Sequence, residues 1–259
     1  IQESGRDGVR IEINDTTAPP SGSARHVITQ PGSYYLSGDI DAGTLNGIEI
    51  ATGNVTIDLN GYTLRGTGRA GITPPEADQT DDLYEGLIVR NGHIEGFLWG
   101  VLTFDENIIV QRGFITAQQA IAGTLLEDLV VEDSEFGIEV RNGVVRSCAV
   151  RGRRSGIVAI FCTVTDCQVT MLPSPLAFKT GINVSSSTVV NCTVDTTNAQ
   201  EDLGLRGFAL FSSNCSTSTT RGIGQGFIMG VGSVANGCAS YHAAGNDINP
   251  SAIVNNSNF

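Results

Sequence analysis

The chain has 259 residues, 40% of them hydrophobic, with mean hydropathy near zero (+0.04) and a net charge of −12. That balance suits one large domain with a real core, and no apolar run approaches the roughly 18–20 residues that span a bilayer. The acidic excess, with 14 Arg and a single Lys, argues against a nucleic-acid partner, whose phosphates demand clustered basic side chains.

The first four residues, Ile1-Gln2-Glu3-Ser4, lack the basic-then-apolar pattern of a secretion signal. Asn14 to Ser23 is rich in Thr, Pro, Ser and Gly and reads as irregular, and Pro31-Gly32-Ser33-Tyr34-Tyr35-Leu36 reads as a turn into a strand. Residues 1–46 are therefore expected to form an N-terminal cap. An open solenoid end is an unpaired edge that has to be covered.

From residue 47 to residue 259 one phrase recurs: a Gly, an apolar residue, a short strand, then an apolar pair and a small polar turn residue. Gly137-Ile138-Glu139-Val140, Gly156-Ile157-Val158-Ala159-Ile160, Gly181-Ile182-Asn183-Val184 and Gly207-Phe208-Ala209-Leu210 carry it. Between them stand Val145-Arg146-Ser147-Cys148, Val164-Thr165-Asp166-Cys167, Val189-Val190-Asn191-Cys192 and Ser212-Ser213-Asn214-Cys215. Aligned, they predict a turn column of Asn60, Asn91, Arg112, Asp133, Ser147, Asp166, Asn191, Asn214, Asn236 and Asn255, spaced by roughly two dozen residues. Asn and Asp tolerate left-handed backbone, and their side chains can bond along a stack of rungs. The pattern predicts an all-β solenoid of about ten coils, each of three short strands, forming one structural domain.

The run Asn54-Val55-Thr56-Ile57-Asp58-Leu59-Asn60-Gly61-Tyr62-Thr63-Leu64 and the Asn-Cys-Thr-Val coils resemble the repeats of the pectate-lyase-like superfamily. The resemblance covers residues 47–259 and implies a right-handed parallel β-helix. It also implies a polysaccharide site on the flat face carrying the Gly-apolar strands, walled by loops between strands, in a protein that is secreted or at the cell surface. The superfamily holds lyases, hydrolases, epimerases, phage tailspikes and surface proteins.

Six cysteines could form three disulfides in an oxidising compartment. Cys148, Cys167, Cys192 and Cys215 each follow the turn column, however, so they are expected to stack inward as small apolar residues. Cys162 falls at an inward strand position and Cys238 one residue out of register. Stacked neighbours are within reach of a bridge, which leaves oxidation open. No Cys-x-x-Cys pair or Cys-His cluster marks a zinc site.

Three insertions stand out as candidate walls: Thr73 to Glu85, which is acidic; Leu172 to Lys179; and Asp195 to Arg206. Arg154, Lys179 and Arg206 each lie just before the Gly of three successive coils. With Arg151 and Arg153 they are expected to form a positive strip suited to repeating uronate carboxylates, which arginine grips bidentately. β-Elimination from a uronate needs a neutralised carboxylate, a base at C5 and an acid for the leaving oxygen. Lys179, flanked by arginines and expected to be partly buried, is the candidate base. The opposing expectation is that these cations merely balance the acidic loops. Asn183, Glu139 and Trp99 are candidate glycan contacts on the same face.

Hydrolysis instead needs two carboxylates about 5–9.5 Å apart. Glu139 with Asp105 or Glu106 is the available set, but the paired Asp and Gly-His-Gly elements of the superfamily's hydrolases are absent. Tyr241-His242 is a candidate acid–base pair, while His93 and His26 read as inert. The acidic loop could hold Ca²⁺, although its spacing matches no known calcium-loop signature, so no metal ligand or other cofactor is assigned. The expected function is that of an extracellular lyase on an acidic, uronate-containing polysaccharide. The alternatives are a non-catalytic carbohydrate-binding or structural β-helix and a glycoside hydrolase.

Overall fold

A computed structural model describes residues 9–75, 86–102, 108–117, 119–175, 179–199, 205–222, 225–242, 247–248, 253–255 and 257. Asn46–Ile50, Val55–Asp58 and Thr63–Arg65 make one coil, and each pairs in parallel with its equivalent one coil on. The strands join one continuous ladder system wound as a parallel β-helix. We number the faces in chain order: face 1 carries Asn46–Ile50, face 2 Val55–Asp58 and face 3 Thr63–Arg65.

The strands alternate inward and outward. On face 1, Ile157 and Ala159 are fully buried while Val158 and Ile160 point outward and are half-covered. Stacking then builds apolar columns inside the helix. One runs Ile138–Ile157–Ile182–Phe208–Phe227, with the last two rings stacked at 4.8 Å between centroids. Face 3 supplies Val131–Val150–Val169–Val194–Thr220. The recurrent glycine is a matter of space. A Cβ on Gly156 would lie 2.3 Å from Val169 Cγ1, and one on Gly181 would lie 2.3 Å from Val194 Cγ1.

The turn column between faces 2 and 3 consists of Asn60, Asn91, Arg112, Asp128, Ser147, Asp166, Asn191, Thr217 and Gly237, all left-handed with φ between 48° and 64°. Asp133, Asn214 and Asn236 do not belong to it. Asp133 is left-handed too, but at a bulge on face 3, where Val131 to Ser134 oppose Val150 to Gly152. Asn214 opens its strand and Asn236 closes one, because Val190 pairs with Ser216 and Ser216 with Asn236. Asn255 closes the strand Ile253–Asn255 and so is likewise a strand residue. A second left-handed column between faces 1 and 2, unforeseen from sequence, holds Asn54, Asn142, Phe161, Ser186, Ser212 and Gly232.

From Ser147 and Phe161 onward, the residue after each left-handed corner position is a serine or cysteine, and it holds the corner together. At Cys162, Ser187, Ser213 and Ser233 the backbone turns away from the ladder, and the N–H needs a new acceptor. The side chain at the same position one coil later provides it: Cys162 N donates to Ser187 Oγ at 3.0 Å, Ser187 N to Ser213 Oγ at 3.2 Å and Ser213 N to Ser233 Oγ at 3.5 Å. The side chains of Cys162, Ser187 and Ser213 in turn donate to the carbonyl two residues back, as Ser187 Oγ does to Ser185 O and Ser213 Oγ to Phe211 O, both at 2.7 Å, while Ser233 Oγ donates to Leu210 O at 2.9 Å. The other corner repeats the device with Cys148, Cys167, Cys192, Ser218 and Cys238, where Cys192 N donates to Ser218 Oγ at 3.1 Å.

All six cysteines are therefore buried free thiols. Cys238, not Cys215, belongs to the corner stack, and Cys162 sits in the second corner rather than along a strand. Cys215 occupies the inward strand column with Val189 and Ala235. Its sulfur nevertheless lies 3.2 Å from that of Cys238. Hydrogen bonding to Cys167 and burial push the thiols of Cys148 and Cys192 up, which keeps them neutral.

The ladders also run through residues 10–46, expected as a separate cap. Ala24–Ile28 pairs with face 1, Gly32–Tyr35 with face 2 and Ile40–Asp41 with face 3. The covering segment is shorter. Ile13 and Ala18 are buried in the core cluster, Val27 N donates to Pro19 O at 3.1 Å, and His26 Nδ1 bonds Ala18 O at 2.7 Å. Asp58, from the run that carries the family resemblance, ties three coils. It accepts from Asn60 N, Asn91 Nδ2 and Arg90 Nε, and pairs with Arg10 at 3.3 Å.

Ser213→Ala should lower stability by about 1–3 kcal/mol in a denaturant titration, since Ser187 N–H is left buried without an acceptor. Ser213→Cys, which restores the pattern of the other corner, should recover most of that loss.

Candidate functional site

Face 1 presents two outward columns, Glu139–Val158–Asn183–Ala209–Ile228 and Arg141–Ile160–Ser185–Phe211, and along its leading edge a partly covered column, Phe136–Ser155–Thr180–Arg206–Gln225, in which Ser155 is buried. Asn183 and Glu139 thus share a column, with Val158 between them. Trp99 is half-buried, in register with Ala70 on one side and Gln119 on the other, at the same edge of face 1 as Phe136 but on earlier coils.

The expected cationic strip is not an open one. Arg151 pairs with Glu132 at 3.2 Å, Arg153 with Asp133 at 2.6 Å and Arg154 with Glu135 at 3.7 Å, and Arg154 also lies 5.0 Å over the Phe136 ring. Arg146 pairs with Glu127 at 2.7 Å on face 2. Each arginine answers an acid one coil earlier, because Val131-Glu132-Asp133-Ser134-Glu135 runs beside Val150-Arg151-Gly152-Arg153-Arg154. The balance of charge is therefore between adjacent coils rather than between strip and loops.

Lys179 also departs from the strip. Its side chain is 0% exposed, and its Nζ donates to Ser174 O at 2.5 Å inside the 172–179 insertion. A lysine held in this way is a strut of that segment. Arg206 is displaced by one position, pairing in register with Thr180 rather than Lys179. Its Nε is buried and has no hydrogen-bond partner among the described residues, a state shared only with Ser134 Oγ.

Glu139 is about half exposed and stands 3.8 Å from Arg141. Among the described residues its column holds no second carboxylate beside it, and Asp105 and Glu106 lie outside those residues. Tyr241 is exposed on face 3, in register with Arg221, which is itself bonded to Asp195 at 2.7 Å. It is thus on a different face from Asn183 and Glu139. His242 is in register with Gly222, and its imidazole lies outside the described residues, as does the acidic segment 76–85 expected to hold Ca²⁺. No group of three or more metal-ligating side chains occurs among the described residues. Among those residues, no helix is long and apolar enough to cross a membrane.

A polar cleft at the N-terminal end is lined by Glu12, Asn14, Asp15, Arg25, His26 and Asp39. Burial pushes the His26 pKa below the ordinary imidazole value, against a rise from its bond to Ala18 O. The unfolded chain therefore takes up this proton at higher pH than the folded one. Stability from this site should be complete above pH 6.5, the ordinary imidazole value, and decline as pH falls below it. Thermal melts from pH 8 to pH 5 should show that slope, and His26→Asn should remove it.

The paired arginines are half-exposed at the surface, so Arg153→Ala should change the unfolding free energy by only about 0.2–1 kcal/mol. A double-mutant cycle with Asp133→Ala checks the coupling.

No family model matches the chain, and no match was found among curated proteins. Among solved structures, the chain is similar to the A-module of the mannuronan C-5 epimerase AlgE6 of Azotobacter vinelandii. Identity is 10% over 88% of this chain and 90% of that one, with a TM-score of 0.37.

Proposed function

We propose that this chain engages an acidic, uronate-containing extracellular polysaccharide along face 1, with Arg206 gripping a carboxylate. The carrying observation is the buried, unpartnered Nε of Arg206. A buried guanidinium donor without an acceptor is costly, and a planar carboxylate from a ligand would satisfy it in the geometry arginine favours. Thr180 and Gln225, its neighbours in the column, offer hydrogen bonds to sugar hydroxyls on either side.

Binding is the first reading and β-elimination at the same site the second. Arg206 would neutralise the carboxylate and so acidify the C5 proton, which is the first requirement of that reaction. Lys179 is the nearest candidate base in sequence, but it would have to leave Ser174 O to reach a substrate. A secreted or cell-surface location belongs to the same proposal. Glycoside hydrolysis has less support, because Glu139 lacks a carboxylate partner in its column among the described residues.

Alginate, polygalacturonate and glycosaminoglycans should be tested for affinity by calorimetry and for turnover by absorbance of an unsaturated product. The unaltered chain should bind at least one of them, and Arg206→Gln should weaken that binding by about 10- to 150-fold, the worth of a charged hydrogen bond. Lys179→Met should leave affinity intact. Product absorbance that disappears in Lys179→Met would promote elimination to the main activity. Unchanged affinity in Arg206→Gln would sink the proposal.

A further inference from the structure

The corner between faces 1 and 2 presents Asn142, Phe161, Ser186, Ser212 and Gly232 in successive coils, all left-handed. Four of these suit the conformation by small size or a short polar side chain, and Phe161 does not. A bulky residue there costs on the order of 1–2 kcal/mol. At 64% exposed, Phe161 gains little core packing to offset it. Strain kept at an exposed position marks a contact the isolated fold does not use.

Phe211 stands in the adjoining column, two rungs on from Ile160. It is 42% exposed. Its ring lies against Gly230, where a Cβ would come within 2.8 Å of Phe211 Cδ1, so the missing side chain gives the ring a flat seat. Ser185 fills the rung between in the Phe211 column, and Ser186 does so in the Phe161 column. At the head of the Phe211 column stands Arg141, 69% exposed and paired loosely with Glu139 at 3.8 Å.

We propose that Phe161 and Phe211 form a stacking platform for alternate sugar rings of a polysaccharide laid along the helix axis. The proposal rests on the polysaccharide reading above and adds a second line of contact at the edge of face 1. Two rungs at ~4.8 Å each set the phenyl rings about 9.6 Å apart along the axis. That is close to the length of two linked pyranose residues. The C–H face of a pyranose is apolar and lies flat on an aromatic ring, while its rim hydroxyls need polar partners. The platform alternates in that way, with serine hydroxyls facing the sugar between the two stacked ones. A protein partner would favour a continuous apolar core, which the serines interrupt. Arg141 supplies the charge complement to a uronate carboxylate.

Phe161→Asn keeps the left-handed corner and serves as the main test, with Phe211→Ser as the second variant. Each should weaken alginate and polygalacturonate binding by about tenfold, the scale of one lost aromatic stack. The melting temperature of Phe161→Asn should be unchanged or raised. Carboxyl-reduced polymers, which offer Arg206 no anion, should show the same loss in Phe161→Asn and none in Arg206→Gln. Unchanged affinity in both phenylalanine variants, with binding lost in Arg206→Gln, would overturn the platform and leave the Arg206 reading standing. A drop in melting temperature with unchanged affinity would make Phe161 structural. Self-association lost in Phe161→Asn at unchanged affinity would overturn the platform in favour of a contact between copies. If the unaltered chain binds none of these polymers, both proposals fall.

Discussion

The architecture depends on how a strand ladder turns a corner without abandoning its hydrogen bonds. A left-handed residue makes the turn, and in the later coils the next N–H bonds a side chain of the adjoining coil in place of a carbonyl. Ser187, Ser213 and Ser218, with Cys162, Cys167 and Cys192, fill that role by accepting from the coil before and donating to their own chain two residues back. Each coil is thereby completed by its successor. Hydroxyl and thiol both serve, because each is small, donates once and accepts once.

This explains why the fold was legible in the sequence while its register was legible only in part. The alternation Gly156-Ile157-Val158-Ala159-Ile160 and the Asn191-Cys192 phrase report local requirements that recur through the later coils: no space for a Cβ, then a left-handed residue, then a small inward donor. Asn214-Cys215 imitates that phrase three residues too early. Only pairing with the previous coil shows that Thr217-Ser218 makes the corner there. A threonine in left-handed backbone has no compositional signature. The second corner has no sequence signature for the same reason, since Phe161, Ser186 and Ser212 share a backbone conformation and little else.

The site was less legible because surface charge is decided by neighbours distant in number. Arg151, Arg153 and Arg154 read as a cluster along the chain, yet across coils each faces an acid that stands about twenty residues earlier, at Glu132, Asp133 and Glu135. The register that builds the hydrophobic columns also fixes these pairs, so the ladder dictates electrostatics as well as packing. Lys179 departs from the pattern because the insertion before it lets the side chain turn inward to Ser174 O. Among the described residues, few buried side-chain polar atoms are left without a partner: one guanidinium nitrogen of Arg206 and the hydroxyl of Ser134.

The left-handed corners take small or apolar residues on their inner side and are permissive on their outer one. Inward, Val55, Gly61, Gly92, Gly113, Leu129 and Gly143 follow in the earlier coils and a serine or cysteine in the later ones; outward, Asn, Asp, Ser, Thr, Gly, Arg and even Phe are tolerated. The outer edge therefore behaves as a graduated ruler, with one mark per strand spacing. Altering a single mark changes the chemistry offered at one fixed height and leaves the marks on either side where they were. A solenoid of this kind can match the repeat of a linear polymer by choosing which marks to fill, with no change to the frame that carries them.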